Sequence, residues 1–188
     1  MGVRIRPALV VGVVLLVVLP FGAWRAVAAR SMADVRIEPG APTCSGVTVG
    51  VDRRDDRYRP QIPLRPAMAC QIPYWVANPG SHDVVVTGLT YPLGGPGGGA
   101  AWKVVSVEYD DLDPASEVDA VWSGAQTVPA GTEAAIVVSI EFRARGCTDG
   151  GSMWVQPVFT VRSFGRHREV LSPASPTFRG TRESTCEM

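Results

Sequence analysis

Seventeen consecutive residues without a charge, Ala8 to Trp24 (ALVVGVVLLVVLPFGAW), constrain this chain more than anything that follows them. Arg4 and Arg6 precede the run, and Arg25 and Arg30 follow it. At ~1.5 Å per residue a helix of this length spans roughly 25 Å, just under the hydrocarbon thickness of a bilayer. The run therefore predicts one transmembrane helix over 8–24, behind a short basic tail, residues 1–7. Its flanks allow a second reading. A basic start and the small-residue sites Ala26-Val27-Ala28 and Ser31-Met32-Ala33 suit a cleaved signal peptide. Trp24 and Arg25 suit an interfacial anchor, and the run exceeds the ~7–15 residues of a signal core. The retained single-pass anchor is preferred, with a secreted domain as the alternative. Basic residues nearly tie on the two sides, so they do not orient the helix.

The cysteines supply the orientation. Cys44, Cys70, Cys147 and Cys186 all lie beyond the apolar run, with no CxxC pair and no histidine close by in sequence. That spacing does not fit a zinc site; it fits two disulfides in an oxidising, extracytoplasmic compartment. Four cysteines allow three pairings, and Cys44–Cys70 with Cys147–Cys186 is favoured because each closes one local loop. The second bond would tie down residues 173–185, which show little apolar surface and no alternation.

Beyond Arg30 the chain holds fourteen basic and eighteen acidic residues, a net charge of −4, which argues against a nucleic-acid partner. The remaining length suffices for one core burying ~68–70% of the unfolded chain's surface. No segment there shows sustained helical spacing of apolar residues. Strand patterns recur instead, over 47–51, 69–77, 83–91, 102–109, 118–122, 132–143, 153–162 and 168–171. Turn signals separate them, among them Asn78-Pro79-Gly80, Pro129-Ala130-Gly131 and Phe164-Gly165. The clearest alternation places Ile136, Val138, Ile140 and Phe142 on one face and Ser139, Glu141 and Arg143 on the other. Residues 52–66 (DRRDDRYRPQIPLRP) read as a long surface loop, because three prolines and mixed charges break both ladders and helices. About seven or eight short strands imply an all-β, antiparallel β-sandwich over 44–188, joined to the helix by a stalk over 25–43.

Tyr74-Trp75-Val76-Ala77-Asn78-Pro79-Gly80 followed by Val84-Val85-Val86 resembles the strand, turn and strand of immunoglobulin-like extracytoplasmic modules. Thr127-Val128-Pro129-Ala130-Gly131-Thr132 resembles the proline-glycine turn before a late strand in the same modules. With Arg145-Gly146-Cys147 and the terminal Cys186, the chain is similar to small membrane-anchored actinobacterial proteins. The resemblance covers residues 44–186 and implies an immunoglobulin-like sandwich in the envelope, with no catalytic residues to transfer. Trp75 follows Cys70 more closely than in an antibody domain.

Chemical motifs are few. Gly94-Gly95-Pro96-Gly97-Gly98-Gly99 lacks the Gly-Lys-Ser/Thr of a phosphate loop and reads as a flexible connection. His82 and His167 sit beside turn signals and read as exposed; Ser81-His82-Asp83 is contiguous, whereas the members of a triad converge from separate segments. Glu108, Asp110, Asp111, Asp113, Glu117 and Asp119 place six carboxylates within twelve residues. A solvated loop is the preferred reading there. A calcium site on Asp110, Asp111, Asp113, Glu117 and Asp119 is the alternative, although EF-hand spacing is absent. Trp75, Trp102, Trp122 and Trp154 read as core rings more than as an exposed patch. The expectation is a non-catalytic, cofactor-free interaction or structural module of the cell envelope. It is tethered to the membrane by its helix and available to an envelope protein partner. The alternative is a secreted domain that binds a small ligand or carbohydrate.

Overall fold

The computed structural model describes residues 7–52 and 59–186, the side chains of 7–17 and 52 excepted. One helix, α1 (Pro7–Ala33), precedes thirteen strands among these residues. The strands are β1 (Arg36–Pro39), β2 (Thr43–Ser45), β3 (Gly50–Asp52), β4 (Arg59–Pro63), β5 (Ala69–Asn78), β6 (Val84–Tyr91) and β7 (Trp102–Val107). They continue with β8 (Ala120–Val128), β9 (Thr132–Phe142), β10 (Ser152–Trp154), β11 (Val158–Ser163), β12 (Arg166–Leu171) and β13 (Thr177–Arg179). Among the described residues no helix is long and apolar enough to cross a membrane. The side chains of residues 8–17, more than half of the expected 8–24 span, lie outside those described.

Two antiparallel sheets face each other. The first runs β1–β5–β9–β7, with β2 continuing β1 along the same edge of β5; the second runs β12–β11–β6–β8. β5 and β9 pair over ten positions, from Ala69↔Glu141 to Asn78↔Thr132. Alternation then turns Cys70, Ile72, Tyr74 and Val76 inward beside Ile136, Val138 and Ile140. The facing sheet contributes Val84, Val86, Leu89, Tyr91, Phe159 and Val161. The register of β6 shifts between Val86 and Gly88 against both of its neighbours. This bulge keeps Leu89 and Tyr91 pointing inward, where strict alternation from Val84 would turn them to solvent.

A third, smaller sheet, β10–β13–β4–β3, closes one end of the sandwich. Its Phe178 stacks on Trp102 of β7 with ring centroids 4.4 Å apart. Trp102 meets Tyr91, whose hydroxyl lies 3.0 Å from that of Tyr74, and Tyr74 meets Phe159. These five rings are each 0% exposed and join the three sheets into one core. Aromatic pairs of this kind are worth ~0.5–1.5 kcal/mol each beyond the area they bury.

Several expectations change here. The sandwich has more strands than seven or eight because three-residue strands leave no period to read. Residues 59–63, read as loop, form β4: a ladder this short needs few donors, and Gln61 and Ile62 retain theirs between Pro60 and Pro63. The strand expected over 153–162 splits into β10 and β11, with Pro157 between them, so the chain changes sheet there. Residues 173–185 are not loose, since Ser175 to Phe178 are buried and β13 lies parallel to β4. The glycine run, read as a flexible connection, is closely packed at Gly94, Gly95 and Gly98. A Cβ on Gly95 would meet Glu117 and Asp119 carbonyls within 2.4 Å, and one on Gly98 would meet the Leu93 carbonyl at 2.3 Å. Arg143 donates to the Gly95 carbonyl, and Cys147 N–H to that of Gly99 at 2.8 Å.

The opposite end meets α1. Ala28, Ser31 and Met32 are buried, Met32 belongs to the hydrophobic core, and Arg168 donates to its carbonyl at 2.5 Å. Strand β1, inside the expected stalk, begins at Arg36 and pairs with β5. Asn78, the sole asparagine of the chain, is 1% exposed at this pole. Its amide donates to the carbonyls of His82, Val128 and Pro129, and its carbonyl accepts from Gly80 N–H. One side chain thus ties the β5–β6 turn to the β8–β9 turn.

Candidate functional site

The four cysteines form two disulfides, Cys44–Cys70 and Cys147–Cys186. Cys44 and Cys70 face each other across the β2–β5 ladder. Cys147 follows β9, and Cys186 follows a single 3₁₀ turn over Arg182–Ser184. Both bonds lie at the pole remote from α1. They close sequence separations of 26 and 39 residues, and on the chain-entropy model loops of this size stabilise by roughly 3–4 kcal/mol each.

The acidic segment leaves β7 through a tight turn. Val107 and Asp110 exchange backbone hydrogen bonds of 3.1 and 2.9 Å around Glu108 and Tyr109, whose φ angles are +53° and +67°. Two consecutive left-handed residues define a type I′ hairpin turn, normally built from Asn and Gly. Glu108 compensates by accepting from Val137 N–H through its carboxylate. Asp113 accepts from Ala115 N–H at 2.8 Å and from the Ser123 hydroxyl at 3.1 Å. Asp119 accepts from Leu93 N–H at 2.8 Å. The structure therefore does not bring Asp110, Asp111, Asp113, Glu117 and Asp119 together. Among the described residues no three His, Cys, Asp or Glu side chains gather as a metal site would require.

His82 and His167 are exposed at the α1 pole. The His82 ring packs on Phe164, with centroids 5.1 Å apart, and its Nδ1 lies 3.0 Å from the Ser81 hydroxyl. His167 stands in β12, opposite Arg162. Neither histidine approaches the acidic segment. The tryptophans divide: Trp102 and Trp122 are buried, while Trp75 and Trp154 are about half exposed, at 44% and 49%. Trp75 belongs to the outer face of β5 and Trp154 to the small sheet, where Arg59 stacks over its ring at 5.3 Å. They form no common patch.

Sequence reasoning missed a cleft of about 580 Å³ at the disulfide pole, walled by Pro63, Arg65, Arg179, Thr181, Arg182 and Glu183. Arg65 follows β4, Arg179 ends β13, and Arg182 and Glu183 sit on the 3₁₀ turn. Hydrogen bonds from Thr181 and from its own backbone amide hold the Glu183 carboxyl below the usual carboxylate range, and Arg65 and Arg182 add to the effect. Nothing local announces this cluster, because residues 65 and 182 meet only through the parallel β4–β13 pairing.

No family model matches this chain, and no curated protein matches it. Among solved structures the matches are of low similarity. A GH20 exo-β-N-acetylglucosaminidase from Vibrio harveyi is 10% identical with a TM-score of 0.39, over 79% of this chain and 19% of that one. This chain thus spans about a fifth of that enzyme's length. The cupredoxin domain of amoB from Nitrosocaldus yellowstonii is 12% identical with a TM-score of 0.36, over 64% and 60% of the two chains. The PapD-like domain 7 of human CEP192 is 10% identical with a TM-score of 0.35, over 86% and 89%.

Proposed function

We propose that this chain is a membrane-tethered, extracytoplasmic, non-catalytic module of the cell envelope, an immunoglobulin-like sandwich that presents its sheets and loops to another envelope component. The observation that carries the reading is the joint between α1 and the sandwich. Cleavage after Ala33 would remove the buried Ala28 and Ser31 and the core residue Met32, and take the carbonyl acceptor away from Arg168. Cleavage after Ala28 would strip the helical turn that orients Ser31 and Met32. A retained α1 keeps both.

Other features support the same reading. Val18, Leu19, Phe21, Trp24 and Val27 are all exposed along α1, an all-round apolar surface suited to lipid and not to water. Two disulfides suit an oxidising compartment. The order β1–β5–β9–β7 facing β12–β11–β6–β8 supports the immunoglobulin-like description. Glu108, Asp113 and Asp119 are engaged with backbone amides, which supports a structural role for those three.

Mass spectrometry of the native protein's N-terminus tests the tether. The expected mature chain starts at Met1 or Gly2 and sediments with membranes. A soluble form starting at Ala29 or Asp34 would replace this reading with a secreted binding domain. Alkaline phosphatase fused after Met188 should be active, since that enzyme needs export.

A further inference from the structure

The cleft at the disulfide pole is lined by three arginines, Arg65, Arg179 and Arg182, and by one acidic residue, Glu183. This local excess of positive charge stands in a domain whose net charge beyond Arg30 is −4. Asp149, next to the lining residue Gly150, directs its carboxylate to the backbone N–H of Cys186 at 3.3 Å. The hydroxyls around the cleft are engaged within the fold. Thr181 Oγ1 shares its one proton between the Leu64 carbonyl, at 2.6 Å, and the Glu183 carboxylate, Thr185 Oγ1 donates to the Thr181 carbonyl at 3.1 Å, and buried Ser184 accepts from Thr181 N–H at 2.8 Å. Guanidinium forks are what remains to meet a ligand, and they match carboxylate and phosphate oxygens in pairs.

Size narrows the ligand further. A space of about 580 Å³ falls in the range of small-molecule sites and exceeds a bare phosphate. Its walls are polar backbone, threonine and arginine, with Pro63 as the main apolar surface. A polar body fits such walls and an apolar one does not. The floor is fixed by the Cys147–Cys186 bond and by Leu64 N–H donating to the Arg179 carbonyl at 2.9 Å, so little ordering is left to binding. Glu183 lines the same cleft and is close enough to Arg65 and Arg182 for their charges to act on its carboxyl.

We infer that this cleft binds a sugar-sized polar ligand through a phosphoryl or carboxyl group, gripped by Arg65, Arg179 and Arg182 against the opposing charge of Glu183. The inference rests on the reading of the domain as a binding module, not on its tether, so the N-terminal mass and a binding assay fail independently.

Isothermal titration of the full chain in detergent micelles, with glucose 6-phosphate, glucuronate, glucose and inorganic phosphate as probes, tests it. One of the two charged sugars should bind; which one does tells phosphoryl from carboxyl recognition. Glucose should give no heat, and inorganic phosphate should bind at least roughly tenfold more weakly than the preferred sugar. Arg179→Gln and Arg182→Gln should each weaken binding by roughly tenfold, the scale of one charge-assisted pair, without moving the melting temperature. Glu183→Gln should tighten it several-fold, an effect that non-specific charge attraction at distant arginines would not produce. Arg145→Gln serves as the neutralised control and should leave binding unchanged. Absence of binding by both charged sugars, equal affinity for inorganic phosphate, or indifference to the arginine variants would each overturn the assignment.

Discussion

The Tyr74–Tyr91 pair offers the sharpest test of the core. Both rings are 0% exposed and their hydroxyls lie 3.0 Å apart, each serving as the other's partner. Tyr74→Phe or Tyr91→Phe alone strands one buried hydroxyl, which costs ~1–3 kcal/mol, whereas removing both polar groups from an apolar site is nearly neutral. The double variant should therefore be more stable than either single one, with a coupling of roughly 2 kcal/mol or more between the positions. Urea unfolding with linear extrapolation reads this directly. The pH dependence gives a second readout. Burial pushes both phenols well above their ordinary pKa, and for Tyr74 the neighbouring Tyr91 adds to the rise. The unfolded chain sheds these protons near pH ~10 while the folded chain keeps them. Their contribution is therefore complete below pH ~10 and is lost as pH climbs above it, by roughly 1.4 kcal/mol per pH unit for each tyrosine. The double Phe variant should lack this alkaline loss. Strictly additive single losses, with the double variant the least stable of the set, would refute the paired-hydroxyl account.

Asn78→Asp should destabilise by about 3–5 kcal/mol, the cost of an uncompensated buried charge, because a carboxylate would face the three carbonyls of His82, Val128 and Pro129; a melting temperature within a degree or two of the parent would contradict the bonding described. Tyr109→Gly should stabilise by about 1 kcal/mol, since the side chain is 74% exposed and its φ is +67°. A loss of stability in chemical denaturation would show that the Tyr109 ring makes contacts that outweigh the backbone strain.

Much of the sandwich is legible in the chain because burial writes a period of two into it. Ile136, Val138 and Ile140 alternate with less buried neighbours in β9, the longest strand among the described residues. The cysteine pairing follows from loop locality, and Asn78-Pro79-Gly80 and Pro129-Ala130-Gly131 both mark real turns. What was hidden depends on contacts between segments far apart in sequence. The run Val84-Val85-Val86-Thr87-Gly88-Leu89 carries no mark of its bulge, since register is set by the strands on either side. Phe178 looks like a lone ring in a tail until Trp102 arrives to stack on it. Arg65, Arg179 and Arg182 share a cleft only once β4 and β13 pair in parallel. Density of charge admits calcium on the acidic loop only as the alternative to a solvated loop. Density does not specify direction, and Glu108, Asp113 and Asp119 each turn to a different backbone amide.

The joint at Met32 also makes the molecule a lever. Only Asp34 and Val35 separate α1 from β1, and Val35 is buried, so no slack remains in which helix and sandwich can swivel. From Asn78 at that joint to Ala69 at the other end of β5, nine steps of ~3.4 Å span roughly 31 Å, and the arginine cleft lies toward that far end. Were α1 embedded in a bilayer with β5 running along its axis, a helix tilt of ~20°, the average for membrane spans, would carry the far end of the sandwich sideways by roughly 11 Å and lower it by only about 2 Å. Bilayer thickness, acting on the tilt, would then set where the cleft meets its ligand laterally while leaving its height above the membrane nearly constant.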